Sequence, residues 1–549
     1  MARVTPLIVR SAAVILAGCA STESKGDSST HPADGATLED TAATEDAANA
    51  DSGGPPPLGD TVGDPDPDSD RTDGELGDTN AVVEKALLLR APMSVPPGRP
   101  FPVAVDAEGP VTMDVVLTAG AVHKTVHLHR GRGSASFTLA ESITLHATAP
   151  GYAGSRDIAV AARPVVELVA ANLPSQRLTG GQLFWDATSD VAISGTVVVG
   201  PGTTLAVAAG TRVVLGPKAG IEVRGTLKVI GSLDEPVLFT SDSDAAWGGI
   251  RVISGAATFD HAWLTAGGGD SGLIFGHSKS QPVIYAEDAS LAFEGGGVVD
   301  SPGKALGSLR SKVTLTGALI SRCDTGGELA DSEVLVDTCH VVEIPDADGQ
   351  YDDDDNDALY IVGTQVKGGV DVQSVVRRSV FRAGEDDGID HNDATLRIED
   401  SWIEGFQHQG VAASQGHRVE VVGCVIRGCG PGGVEAGYGA PTVIVDHCSI
   451  SGNETGVKYG DNYDWDAFGS LTVTNSIVVQ NQKNVENYVV NLGGPREGAV
   501  HVSCSQVDSA DLDGLDGNIA GDPVLDAIGC PPPPGAMCDG ARIGLEMCP

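Results

Sequence analysis

The sequence predicts an all-β chain whose larger part is a parallel β-helix preceded by a small β-sandwich. Three observations predict it. Short aliphatic segments recur in one register at residues 379, 401, 424, 448 and 476, with steps of 22, 23, 24 and 28. A second element recurs between them, at Gly388-Ile389-Asp390, Gly410-Val411-Ala412, Gly433-Val434-Glu435 and Gly456-Val457-Lys458. Gly, Asn, Val and Ile dominate these repeats where a helical repeat would need Leu, Ala and Glu. Three short strands per repeat make one coil, which cannot bury its apolar face alone. Coils stacked about 4.8 Å apart through parallel ladders can.

The N-terminus is a targeting segment. Arg3 and Arg10 supply positive charge, a short apolar run follows, and Leu16-Ala17-Gly18-Cys19 closes it. That tetrad resembles the lipobox of bacterial lipoproteins. The resemblance implies removal of residues 1–18, a lipid on Cys19, and placement in the bacterial envelope at the outer membrane or cell surface. The lipid bilayer is then a partner through the anchor.

Residues 19–81 form an acidic tether: Ser21 to Asn80 carry 16 acids against Lys25 and Arg71, with almost no large apolar side chains. Such a stretch cannot offset its chain entropy by burial and should be self-repelling and extended. Over residues 82–165 short alternating strands such as Phe101–Val105, Met113–Leu117 and Ala135–Leu139 are parted by Pro97-Gly98 and Pro150-Gly151 turns. This region resembles the immunoglobulin-like spacer domains of bacterial surface proteins, and it carries no catalytic cluster.

The β-helix runs over residues 168–526, and a Cys/Pro-rich tail follows over 527–549. Its early phrases are Val191–Val199, Gly202-Thr203-Thr204-Leu205 and Trp247-Gly248-Gly249-Ile250. They resemble the N-terminal coils of right-handed β-helix proteins of the pectin-lyase-like superfamily. Of the ten cysteines, nine remain after Cys19; export makes disulfides plausible around Cys530, Cys538 and Cys548. Cys424 and Cys448, one coil apart, read as an interior stack, and Asn453 and Asn481 as a corner column.

The formal charge of −41 argues against nucleic-acid binding, which needs clustered Lys and Arg. No run of 18 apolar residues predicts a spanning helix. The chain is expected to be a monomer.

The repeat register places Asp390, Ala412, Glu435 and Lys458 in one outward column. Tyr438, Tyr459, Tyr463 and Trp465 fall within 28 residues, in a chain with 8 Tyr and 5 Trp. Aromatic faces beside Asp357 and Glu435 suit the binding of sugar rings. The arrangement is similar in outline to polygalacturonases. That resemblance implies Asp357 as the first acid, Asp386 and Asp387 as the acid/base pair, His408 as the histidine and Lys458 as the anchor of a substrate carboxylate. This chain departs in reading Asn356-Asp357 without an intervening residue, and in placing Gln409 after His408.

An alternative is a Ca²⁺-dependent lyase, with Asp353, Asp355 and Asp390 as metal ligands and Lys458 or Arg418 as base. The plain structural reading has these Asp residues capping tight corners, or holding Ca²⁺ for rigidity. His391, His408 and His417 read as exposed loop histidines. The sequence thus ranks first a non-enzymatic module that binds a polysaccharide or another cell-surface polymer. A polysaccharide hydrolase or lyase follows, then a purely structural envelope protein.

Overall fold

The structure, a computed structural model, describes residues 84–169, 182–344, 356–460, 469–487, 499–531, 535–538 and 540–546. The signal segment with Cys19, the tether, Asp353, Asp355, Tyr463, Trp465 and Cys548 lie outside the described residues.

From Val165–Leu168 to Gln506–Val507 the chain winds into coils of parallel strands. One coil shows the plan. Leu396–Glu399 belongs to a first ladder, Trp402–Phe406 to a second and Val411–Ser414 to a third. Each strand pairs with its counterpart one coil on: Leu396 with Val419, Trp402 with Val425, Val411 with Val434. The third ladder contains twelve strands. No α-helix occurs among the described residues.

Alternation fills the interior. Leu396 and Ile398 are fully buried while Arg397 and Glu399 face out. Phe259 packs between Phe239 and Phe293, at ring-centre distances of 6.4 and 5.4 Å. Small polar side chains satisfy the backbone at the corners. The Ser379 amide donates to Ser401 Oγ, the Cys424 amide to Cys448 Sγ and the Cys448 amide to Ser476 Oγ. The Cys429 amide donates to Asn453 Oδ1, and the Asn453 amide to Asn481 Oδ1, each at 2.9 Å. The asparagine column and the cysteine stack therefore sit as the sequence predicts, with both thiols buried and free. Cys504 is bridged to Cys538, and Cys530 is also disulfide-bonded.

Residues 85–160 form a mostly antiparallel β-domain around Leu89, Val103, Leu117, Phe137 and Leu145. It is docked rather than a free spacer. Its core is continuous with outward side chains of the second ladder, among them Leu238, Trp263, Val299, Leu319, Val342 and Trp402. Arg132 donates to the Gly317 carbonyl at 2.9 Å, Arg322 to Ser134 Oγ at 3.0 Å, and the Arg130 guanidinium lies 3.7 Å from the Trp402 ring centre. The second ladder is thereby covered, which leaves the outer face of the third for other work.

Candidate functional site

Strand pairing carries one outward position along the third ladder. The column runs Glu328, Tyr360, Asp390, Ala412, Glu435, Lys458. Its second half is the column predicted from the repeats. Two adjoining corners bring further acids to it: Asn356-Asp357 before the Tyr360 strand, and Glu385-Asp386-Asp387 before the Asp390 strand.

These residues converge. His408 Nδ1 lies 2.9 Å from Asp386 Oδ1 and 3.5 Å from Asp387 Oδ1. The Asp387 amide donates to Asp357 Oδ1 at 3.3 Å, and Asp387 Oδ1 accepts the Gln409 amide at 2.6 Å. One ligand atom each from Asp386, Asp387 and His408 lie within 4.8 Å of one another, as do atoms from Asp357, Asp387 and Asp390. Asp387 is buried, whereas the His408 side chain is half exposed.

Burial dominates the Asp387 carboxyl and pushes its pKa up to about 7; Asp386 adds to the rise and the His408 contact opposes it. Hydrogen bonds to Asp386 and then Asp387 raise the His408 imidazole to about 10, against its partial burial. The Tyr360 phenol is held far above its ordinary range by burial, then by Asp390, Tyr438, Glu328 and Asp357. The face is strongly negative and retains a proton at Asp387 near neutral pH.

Chemically, the cluster offers a proton-bearing carboxyl, a second carboxyl and an imidazolium within hydrogen-bond reach. Asp357, Asp387 and Asp390 also present oxygen ligands, the donor type that a hard cation such as Ca²⁺ takes.

Several expectations are corrected. Tyr459 is only 2% exposed and belongs to the solenoid interior. Along Val457-Lys458-Tyr459 side chains alternate, so Lys458 points out and Tyr459 cannot join an aromatic ridge. Lys458 lies on the outward column where the repeat register places it, away from the acid pair. It sits three strands beyond Asp390, about 14 Å at ladder spacing, and donates to Glu435 at 2.6 Å. Glu435 is 6% exposed and is held by Lys458 and Gln409. Tyr438 is half-buried and accepts from Asn392 at 3.1 Å. His391 is not an exposed loop residue: it is fully buried and accepts the Ala394 amide. His417 is partly exposed and bonds Asp393 at 2.7 Å.

Sequence reasoning missed Glu385, Tyr360 and Gln409. Glu385 is buried and accepts from Asn356 at 3.0 Å, and Gln409 joins Asp387 to Glu435. Extending the repeat one coil back would have placed Tyr360 beside Asp390. A wall rises next to it, where the His277 amide donates to Glu328 at 2.7 Å and the His277 ring lies 5.9 Å from that of Tyr360. Lys304, fully buried, is paired with Glu328 at 2.7 Å. A separate cavity of about 930 Å³ borders the second ladder, lined by Arg130, His340, Trp402 and Asp400, and holds none of the candidate residues.

Among solved structures, the chain is similar to the periplasmic alginate epimerase AlgG, with 10% identity, a TM-score of 0.38, and coverage of 62% of this chain and 84% of that one. It is similar to the enzymatically active domain of bacteriophage CBA120 tailspike protein 2, with 9% identity, a TM-score of 0.35, and coverage of 64% and 53%. It is also similar to the catalytic domain of a GH87 α-1,3-glucanase, with 8% identity, a TM-score of 0.32, and coverage of 79% and 91%. No curated protein matches the sequence. Residues 357–509 match the family model described as the right handed beta helix region, and the three stacked parallel ladders give the described strands from Val165 to Val507 the fold of a right-handed parallel β-helix.

Proposed function

We propose that the protein is an exported enzyme that cleaves a polysaccharide laid along the third ladder, by acid–base chemistry at Asp386, Asp387 and His408. One observation carries the reading: a buried carboxyl with its pKa pushed up to about 7 touches an imidazolium and lies beside a second, more exposed carboxyl. A general acid works best with a pKa near the operating pH. Asp387 gives its proton to the glycosidic oxygen as the bond to the anomeric carbon breaks. Asp386 accepts a proton from the water whose oxygen joins that carbon, and His408 holds both carboxyls in place. The aromatic ridge that favoured simple binding has lost Tyr459 to the interior, and the acid cluster is the stronger feature.

A Ca²⁺ ion held by Asp357, Asp387 and Asp390 would instead supply charge neutralisation for a lyase. Such an ion would have to displace the proton on Asp387.

The test is product release from a panel of neutral, amino-sugar and uronate polysaccharides, with and without Ca²⁺, read as new reducing ends and as unsaturated-sugar absorbance. Reducing ends without absorbance, lost in Asp387→Asn, are expected. Binding that persists in Asp387→Asn with no products from either protein would make this a binding module instead.

Anchoring through Cys19 belongs to the same proposal and is supported by Leu16-Ala17-Gly18-Cys19. Cys19→Ala should move the protein from the detergent-requiring membrane fraction to the soluble one.

A further inference from the structure

Resting on the reading of the third ladder as a glycan groove, we infer that the polymer it takes is cationic, a polysaccharide carrying free amino groups, and not a polyuronate. Three observations lead there.

The first is the balance of charge along the groove. Asp357, Glu385, Asp386, Asp387, Asp390 and Glu435 gather on adjoining coils; His408 pairs with Asp386 and Asp387, and Lys458 pairs with Glu435. Both cations are engaged by these same acids. Lys304 on this face is fully buried against Glu328. A uronate needs a cation to receive its carboxylate, and the side chain best placed by sequence for that task, Lys458, is 15% exposed and bonded to Glu435 at 2.6 Å. Like charges brought into such a site repel, and an ammonium is drawn in.

The second is an acceptor with nothing to accept. Gln409 is 6% exposed; its backbone N–H is on Asp387, and its Nε2 is on Glu435, which orients the carboxamide. Its Oε1 is buried without a hydrogen-bond partner. Such an oxygen is costly to leave unpaired. An ammonium or hydroxyl donor completes it, so this acceptor calls for a donor-bearing ligand, and the charge balance decides which.

The third is the potential at Tyr360. Burial is the largest cause of this phenol's raised pKa, and Asp390, Tyr438, Glu328 and Asp357 add to it. The chain's formal charge of −41 extends the same sign outward and steers cationic polymers inward.

The experiment is equilibrium binding of the full chain to three probes at mildly acidic pH: a glucosamine hexamer, an N-acetylglucosamine hexamer and a galacturonate hexamer. The glucosamine hexamer should bind at least tenfold tighter than the other two. Its affinity should fall at least tenfold between about 20 and 300 mM salt, as screening shortens. Asp390→Asn, on the outward column, should weaken it several-fold without moving the melting temperature. Equal or tighter binding of galacturonate would overturn the inference, and so would binding that needs added Ca²⁺, because the acids would then serve a metal. Cleavage of a neutral or uronate polymer with no affinity for the glucosamine hexamer would overturn it while leaving the acid–base reading intact. Salt-sensitive binding of that hexamer without cleavage would do the reverse.

Discussion

Asp387 is the residue on which most depends, and its proton can be followed in two ways. In catalysis the carboxyl must be protonated, so turnover should fall as pH rises through about 7. Asp387→Asn should lower turnover by about 10²–10⁴-fold, the usual contribution of a general acid. In stability the sign follows from linkage. A group whose pKa is higher folded than unfolded favours its protonated form in the native state. The Asp387 contribution is complete below its unfolded value near 3.8 and is lost as pH rises through about 7. The His408 contribution is complete below 6.5 and is lost as pH rises through about 10. The two slopes run the same way, so the melting temperature should decline across this range. Asp387→Asn should flatten the part between pH 4 and 7 and shrink the upper part, because Asp387 is one of the two carboxyls that raise His408. Thermal melts at stepped pH measure this, and a profile unaltered by the substitution would remove the cluster from the account.

At the scale of the strand, alternation decides what the sequence could and could not disclose. The column from Asp390 through Ala412 and Glu435 to Lys458 was legible, because a repeat of fixed register carries one position to the same place in every coil. The acid pair and His408 came from the resemblance to polygalacturonases, and the structure brings their side chains together. Tyr459 was misread because a single step along the strand exchanges outside for inside, and His391 is likewise one step from the outward Asp390. Tyr360 would have followed from carrying the register one coil further back, whereas Glu385 and Gln409 sit in corners off the strand register, where no repeat marks them. Tyr459 offers the sharpest check. Replacing this interior ring by Ala opens a cavity, and the expected loss of stability is about 3–5 kcal/mol, as for other large aromatic truncations. Tyr438→Ala, at a half-buried position, should cost far less. Denaturant melts of the two variants settle which tyrosine is structural. At the corners, Ser401→Ala would strip the Ser379 amide of its acceptor, at a cost of about 1–3 kcal/mol for a buried unpaired N–H.

Across the whole molecule, the docked β-domain explains a feature of the second ladder that the repeats alone left unread. Val380-Phe381, Trp402-Ile403 and Val425-Ile426 are consecutive apolar pairs, in which one residue faces the interior and its neighbour faces out. A sheet with one wet face would alternate apolar with polar; a sheet covered on both sides need not. The cover is the domain of residues 85–160, joined towards Val425 by Cys530 and Leu545, and without the domain Leu238, Trp263, Val299, Leu319 and Val342 would form an apolar strip along the solenoid. The two parts are further tied by ion pairs and hydrogen bonds across the boundary. His129 meets Glu343 at 3.0 Å; burial opposes the Glu343 charge, but His129 and Arg322 hold its pKa down at about 2. Folding of the domain and of the coils beneath it should therefore be coupled, and calorimetry of residues 84–549 should show one transition. Leu319, 1% exposed, sits in the shared core. Leu319→Asp would bury an unpaired carboxylate there, at a cost of several kcal/mol. Because Leu319 points away from the solenoid interior, the coils should survive while the domain lifts off. The expected outcome is two resolved transitions, with new protease cleavage near residues 161–164 and turnover at the third ladder retained. A single transition, shifted downward and losing both parts together, would instead mean that the coils depend on the domain for their own stability.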